Sequence, residues 1–377
     1  MLRDQCLYYF REFLASISGD VSAYASRKKQ LILPQIPLQF VKNIIREVTI
    51  IFKNEPNLLS VKAPVVVCGD LHGHILDLFR ILKQCGSPEA KKFIFLGDIV
   101  DRGEFSVECI ILIYIMKIVW PDNVSIIRGN HEFGYLCSQC GFLEQLLAAY
   151  GEPMLFQYFI SSFNYIPIGA LINNTSLCIH GGLSPSLQLL SQIKNLHRPV
   201  EDWDDDVLNG IVWSDPDVSG YCDEFSPSSR GTGYLYGQAC VDRFLRKNGL
   251  KYLIRGHECV QDGVIVTFNS VITVFSASNY CGVSNNDGAY ILMKSDDTYD
   301  IKPLPALEYL LRSYVIFSKG KSENDRQIIK INEPKSARII QPKPLHSPMN
   351  NPSIKSPRVS FTKNKLPALP AHNRARY

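Results

Sequence analysis

Five polar segments, each set directly behind a short apolar run, restrict what this chain can fold into more than any other feature. GDLHGH (69–74) follows Val65–Val67, GDIVDRG (97–103) follows Phe93–Leu96, GNHE (129–132) follows Ser125–Ile127, HGG (180–182) follows Leu177–Ile179, and RGHE (255–258) follows Tyr252–Ile254. Short β-rich runs punctuated in this way read as buried strands whose ends release chemistry-bearing loops. The loops offer Asp70, His72, Asp98, Asn130, His180 and His257, and no cysteine. Oxygen and imidazole donors without thiolate suit divalent Mn, Fe or Zn at a hydrolytic centre rather than a structural zinc knot.

The surrounding pattern supplies the scaffold. Tyr8–Ile17 and Leu38–Phe52 carry apolar residues at three- and four-residue spacing, so residues 1–60 are expected to be helical. From Pro64 to about Asp262 strands alternate with helical stretches such as Leu76–Gln84 and Ser106–Val119. Beyond that, strands crowd together at Val264–Phe268, Val271–Phe275 and Ala289–Met293. Alternation followed by a strand cluster predicts an α/β sandwich flanked by helices. The longest apolar stretch, Cys109–Trp120, contains Lys117 and is too short to span a bilayer, so it predicts a buried helix and no membrane insertion.

Composition sets outer bounds. The net charge of +4 conceals a split: residues 319–377 hold 13 Lys/Arg against 3 Asp/Glu, whereas residues 1–318 hold 27 against 33. A basic tail behind a mildly acidic body gives no argument for nucleic acid. That tail also holds eight of the 22 prolines and few large apolar residues, too little to offset ordering entropy. The expected division is therefore 1–60 as a helical N-terminal part, 61–308 as a catalytic core, and 309–377 as linker and disordered basic tail. Eleven cysteines lack framework spacing, and the one C-x-x-C, Cys137 and Cys140, has no second pair; both read as reduced bystanders. Charges inside MLRDQCLYYFREFL argue against a secretory signal, which points to the cytoplasm or nucleus. The acidic run Glu201–Asp206 reads as a helix start or solvated face, with an acidic wall for basic substrate segments as the alternative.

The donor set implies a reaction. Two divalent ions a few ångströms apart need a shared ligand, and Asp98 is the natural bridge, with Asp70 and His72 on one side and Asn130, His180 and His257 on the other. Such a pair lowers the pKa of a shared water and clamps the oxygens of an in-line displacement. Arg102 and Arg230 are candidates for bidentate phosphate contacts, since a guanidinium fork matches two phosphate oxygens. His131 follows Asn130 and is expected to face the site without binding metal. Paired with Asp101, it can protonate the leaving oxygen. The sum is metal-assisted hydrolysis of a phosphate ester without a covalent enzyme intermediate.

From about Gln39 to Ala306 the chain resembles the phosphoprotein phosphatase family of serine/threonine phosphatases, of the protein phosphatase 1 and 2A catalytic type. The resemblance runs through GDLHGH, GDIVDRG, RGNHE, HGGLSP, WSDP (213–216), SRGTGYLYG (229–237), RGHE and FSASNYCG (275–282). It implies a metallophosphoesterase-type central β-sandwich, phosphoprotein substrates and separate regulatory subunits. It also implies two divalent ions, with Mn2+ in vitro and Fe or Zn natively, and a loop near Ser276–Cys281 that overhangs the site and offers Tyr280 to substrate. Three positions depart from the pattern: His74 stands for Gln, Gly256 for Ala, and Ser278 for Pro. His74 reads as a helix-start residue. Ser278 is expected to loosen the overhanging loop, because Pro fixes φ. A metallophosphoesterase acting on nucleotides shares the ligand set, and WSDP, SRGTGYLYG and FSASNYCG separate this chain from it. A catalytically dead binding scaffold is the rival of another class, which the intact ligand, phosphate and acid positions oppose. Within the tail, Arg358–Phe361 resembles a short docking motif, and Ser347-Pro348 and Ser356-Pro357 fit proline-directed kinases.

Overall fold

The short apolar runs are buried on both faces because each face meets a different layer. The computed structural model describes residues 2–319 and 328–329; within the tail expected to be disordered, Ile328–Ile329 instead pair antiparallel with Phe317–Ser318, and the docking motif, the kinase sites and the rest of the tail lie outside the described residues. In chain order the sandwich strands are β1 (Leu58–Val61), β2 (Val65–Cys68), β3 (Phe93–Phe95), β4 (Val124–Ile126), β5 (Gly169–Ile172), β6 (Ser176–Cys178), β7 (Tyr252–Arg255), β8 (Val264–Thr267), β9 (Val271–Val274), β10 (Gly288–Met293) and β11 (Tyr299–Leu304). One sheet has the order β11-β10-β2-β3-β4, with β2, β3 and β4 parallel and β10 antiparallel to β2. The other has the order β8-β9-β7-β6-β5-β1, with β9, β7 and β6 parallel.

Side-chain alternation assigns the layers. Val65, Val67, Ile94, Cys178, Ile254 and Ile272 belong to one apolar cluster between the sheets. Their neighbours Val66, Cys68, Phe93 and Phe95 turn outward beneath the helices Ile75–Cys85 and Ser106–Val119. On the other side Leu177, Leu253 and Val271 pack against Ile211, Val212, Val241 and Phe244 of the helices Asp206–Trp213 and Gln238–Asn248. A strand covered on both faces reads as a continuous apolar run, which is why these segments stand out in the sequence.

The predicted helices are present as Leu2–Ala15, Leu38–Asn54, Ile75–Cys85 and Ser106–Val119, but residues 1–60 are not helical throughout: Ile32–Gln35 is a strand, and Leu58–Val61 is the first strand of the sandwich. The last is buried at every residue; its Lys117 ammonium pairs with Glu55 and donates to the carbonyls of Pro121 (3.0 Å) and Val124 (2.7 Å). Among the described residues no helix is long and apolar enough to cross a membrane. The acidic run does start a helix: Asp205 caps Asp206–Trp213, its Oδ1 accepting from the Leu208 N–H at 3.0 Å.

Residues 309–319, expected as the beginning of a linker, are packed. Leu310, Val315 and Phe317 are buried, and Ile316–Lys319 pairs in parallel with Ile32–Gln35. Arg312 makes a two-pronged ion pair with Glu108 at 2.7 Å for each bond. Sequence composition over so short a segment carries no sign of these partners, which lie some 200 or more residues away.

Candidate active site

The C-terminal ends of β2, β3 and β4 in one sheet, and of β6, β7 and β9 in the other, release the six predicted donors and the 275–282 loop. A parallel bridge between Asp70 and Phe275 stitches the two edges together, and the Ser276 N–H donates to the Asp70 carbonyl at 3.1 Å. His180 crosses between sheets: its Nδ1 donates to the Leu96 carbonyl behind β3 at 2.9 Å. Ligands at the carboxyl ends of parallel strands are a recurrent consequence of this topology.

The donors fall into two converging groups. In the first, His72 Nε2 lies 3.8 Å from Asp70 Oδ2 and 3.4 Å from Asp98 Oδ2. Its Nδ1 donates to the Val100 carbonyl at 2.9 Å, which fixes the tautomer and turns Nε2 toward the carboxylates. In the second, Asn130 Oδ1 lies 2.8 Å from His180 Nε2 and 2.9 Å from His257 Nδ1, and the two ring nitrogens are 3.2 Å apart. Asp98 Oδ1 lies 3.4 Å from His180 Nε2. Asp98 thus faces one group with Oδ2 and the other with Oδ1.

The electrostatics of these groups suit a cation. Burial holds the His72 imidazole neutral, its pKa pulled down to about 3, and drives His257 down as well with help from Arg230, His180 and Arg255. Burial, reinforced by Asp98, pushes Asp70 up to about 7. Burial alone would lower His180, but Asp98, Asp70 and Glu132 outweigh it and raise it to about 9. Protons gather where carboxylates crowd out of water, and a divalent ion is the alternative counter-charge. The donor chemistry and convergence therefore fit a pair of divalent metal ions. His257 Nε2 is buried without a hydrogen-bond partner among the described residues.

His131 and Asp101 sit beside this cluster. His131 Nδ1 is 2.7 Å from Asp101 Oδ2, and Asp101 Oδ1 accepts the Phe142 N–H at 3.0 Å. Burial opposes protonation of His131, yet Asp98 and Asp101 prevail and raise its pKa. Its ring meets that of His72 edge-on at 4.8 Å. Arg102 is exposed at the rim. Arg230 is about one-third exposed and anchored through Nε to Asp215 Oδ2 at 2.6 Å. The Tyr280 ring leans on His72 at 5.2 Å and stands edge-on to Phe275 at 5.2 Å. All eleven predicted residues are thus brought to one end of the sandwich.

Several residues that hold this arrangement went unassigned in the sequence. The Glu132 carboxylate accepts the N–H groups of Asp98 (2.9 Å), Ile99 (2.8 Å) and Gly129 (3.0 Å), locking the loops behind β3 and β4 together. Arg255 is fully buried and donates to Asp215 Oδ1 (2.6 Å), Gly181 O (2.7 Å) and Glu258 (2.7 Å), so one Asp215 carboxylate ties Arg255 to Arg230. Both Glu132 and Asp215 lie inside the GNHE and WSDP tracts, which is the signal that could have found them. Left-handed backbone at His72, Asp98, Asp101, Arg102 and His257, with φ between 42° and 71°, aims these side chains. Each costs on the order of 1–3 kcal/mol, sustained by the surrounding bonds.

The departures from the family pattern have local reasons. His74 directly precedes the helix Ile75–Cys85, as expected. A Cβ at Gly256 would stand 2.3 Å from Asp70 Oδ1, so glycine lets that carboxylate approach the backbone and accept the His257 N–H at 3.0 Å. The expectation that Ser278 loosens the overhanging loop is corrected. Its N–H donates to Asp77 Oδ2 at 2.7 Å and its hydroxyl to Asp77 Oδ1 at 3.2 Å. Arg80 closes the triangle, donating to the Ser278 hydroxyl at 3.0 Å and pairing with Asp77. The freedom that serine regains in φ is spent on an amide donor that proline lacks.

Known proteins place this geometry. Residues 63–261 match the calcineurin-like phosphoesterase family. The chain is 36% identical over 273 residues to the serine/threonine-protein phosphatase 4 catalytic subunit of Saccharomyces cerevisiae, covering 72% of this chain and 83% of that one. It is 37% identical over 256 residues to the same subunit from Kluyveromyces lactis, covering 68% and 82%. A solved S. cerevisiae protein serine/threonine phosphatase, described as similar to human phosphatase PP5, aligns with a TM-score of 0.68 at 32% identity over 73% of this chain and 92% of that one.

Proposed function

Since this chain belongs to the phosphoprotein phosphatase family of calcineurin-like phosphoesterases and is a metal-dependent protein serine/threonine phosphatase, we propose that its two donor groups hold two divalent ions bridged by Asp98. Asp70, His72 and Asp98 hold one; Asp98, Asn130, His180 and His257 hold the other. The observation that carries this reading is that Asp98 turns a different oxygen to each group, at 3.4 Å from His72 Nε2 and 3.4 Å from His180 Nε2. Bound divalent cations supply Lewis acidity, polarising phosphoryl oxygens and activating water for in-line attack. Ligand chemistry leaves Mn2+, Fe and Zn all compatible; Mn2+ is the reading for the protein in vitro.

The chain's own residues do the rest. Arg102 and Arg230 hold phosphate oxygens, Arg230 kept in place by Asp215 while its outer nitrogens stay available. His131 delivers a proton to the departing serine or threonine oxygen. Asp101 holds the imidazole by Nδ1, which leaves Nε2 to donate. Tyr280 flanks the substrate on the side of His72. Separate regulatory subunits direct the enzyme to its phosphoproteins. Eleven unpaired cysteines support a reducing compartment, cytoplasmic or nuclear.

Substitution tests the assignment. Asp98→Asn is expected to lose bound metal and phosphopeptide turnover together, whereas His131→Gln keeps the metal and loses turnover. Retention of both ions by Asp98→Asn would overturn the bridging role.

A further inference from the structure

The C-x-x-C pair divides its labour in the fold. Cys137 is buried and donates its thiol to the His131 carbonyl at 2.7 Å. Cys140 is half-buried in the turn between the helices Gly134–Cys137 and Phe142–Tyr150. Two bonds clamp that turn over Asp101: the Arg102 N–H donates to the Cys140 carbonyl at 2.9 Å, and the Phe142 N–H donates to Asp101 Oδ1 at 3.0 Å. As a result, donor atoms from Asp101, His131 and Cys140 all lie within 4.8 Å of one another. We propose that Asp101, His131 and Cys140 form a separate, inhibitory site for a thiophilic divalent cation such as Zn2+ or Cd2+. The inhibition rests on the phosphatase reading above; the binding does not.

Donor chemistry sets this cluster apart from the six-residue centre. That centre offers only oxygen and nitrogen, whereas the cluster adds sulfur, which selects Zn2+ or Cd2+ over Mn2+. A dipositive ion against one thiolate, one carboxylate and one neutral imidazole leaves no net charge to bury. Binding releases the thiol proton and the proton between His131 Nδ1 and Asp101 Oδ2. The 2.7 Å separation of those two atoms is too short to bracket a cation; tetrahedral ligands about 2 Å from zinc sit roughly 3.3 Å apart. The imidazole and carboxylate must therefore part by about half an ångström, while the Phe142 bond keeps Asp101 in place. Three protein ligands leave a fourth position for water. Drawn onto the cation by Nδ1 and parted from Asp101, the His131 ring leaves the position from which its Nε2 serves the leaving oxygen.

The test uses the full chain loaded with Mn2+ and titrated with Cd2+, read by ultraviolet thiolate-to-cadmium absorption and by turnover. Wild type should gain an absorption band at one Cd2+ per chain and lose at least about tenfold in phosphopeptide turnover at the same concentrations, with a smaller loss on nitrophenyl phosphate. Cys140→Ser should keep basal turnover, lose that band and need about tenfold more Cd2+ for half-inhibition. The proposal is overturned if Cys140→Ser shows an undiminished band or is inhibited at the wild-type concentration. It is equally overturned if both substrates are inhibited alike and excess Mn2+ reverses the effect, because Cd2+ would then have replaced the ions of the reaction. A chain that hydrolysed no phosphopeptide would defeat the phosphatase reading, and the Cys140-dependent band would still decide the site.

Discussion

Replacing Asp101 by Asn keeps its shape and removes one acceptor. Both oxygens of Asp101 accept: Oδ2 from His131 Nδ1 at 2.7 Å and Oδ1 from the Phe142 N–H at 3.0 Å. A carboxamide can satisfy only one of them, so its NH2 must oppose either the Phe142 N–H or the proton on Nδ1. Burial works against a charged His131, and the carboxylates of Asp98 and Asp101 overcome it. A hydrogen bond to a charged group contributes about 1.5–3 kcal/mol, or roughly one to two pKa units. The raised pKa keeps the acid form present at neutral pH and loses it only as pH rises through the folded value. Asp101→Asn should therefore draw the alkaline limb of the kcat profile down by one to two pH units. Above the folded pKa the acid form, and with it kcat on a phosphothreonine peptide, should fall about 10- to 100-fold with KM nearly unchanged, and by less at neutral pH. Nitrophenyl phosphate leaves without needing a proton, so its kcat should fall less than about threefold. Equal losses on both substrates, or an unmoved alkaline limb, would refute the role given to the His131–Asp101 pair.

Three further outcomes follow from the same geometry. Glu132→Gln breaks a carboxylate that accepts three N–H groups, and should cost on the order of 2–4 kcal/mol by denaturant titration and weaken metal retention; unchanged stability would contradict the lock between the loops. Ser278→Ala keeps the amide bond to Asp77 and should cost about 1 kcal/mol, whereas Ser278→Pro removes both bonds and should cost about twice that and raise the phosphopeptide KM; equal effects would show that the amide bond is idle. Because Asp70 is pushed up to about 7 and His180 to about 9, metal binding near neutral pH should release protons, and affinity should climb between pH 6 and 9 by roughly tenfold per unit for each proton displaced. Calorimetry in buffers of different ionisation enthalpy reads this directly, and a buffer-independent heat would contradict it.

The ligands were legible in the sequence because each sits directly behind an apolar strand. Burial on both faces makes β2, β3, β4, β6 and β7 visible as continuous runs, and the polar residues that interrupt them are then conspicuous. Glu132, Arg255 and Asp215 were within the quoted tracts but hidden in role, since their partners are backbone groups and side chains brought near only by the two-sheet closure. Ser278 misleads in the sequence for the same reason: a substitution for proline reads as a change in φ, while its partner Asp77 lies 201 residues away. Cys140 looked inert because metal-ligand spacing along a chain cannot register a turn folded over Asp101. The packing of residues 309–319 depends on Ile32–Gln35 and Glu108, likewise distant in sequence.

Everything proposed for this enzyme's reaction depends on metal-dependent attack on phosphoproteins at the centre held by Asp98. The direct measurement is metal content per chain by elemental analysis, paired with turnover of a phosphothreonine peptide and of diadenosine tetraphosphate before chelation, after it, and after Mn2+ is restored. Two ions per chain, peptide hydrolysis that disappears and returns with them, and negligible nucleotide turnover are the predicted results. Peptide hydrolysis that survives complete removal of metal, or a loaded protein that cleaves only the nucleotide, would contradict it.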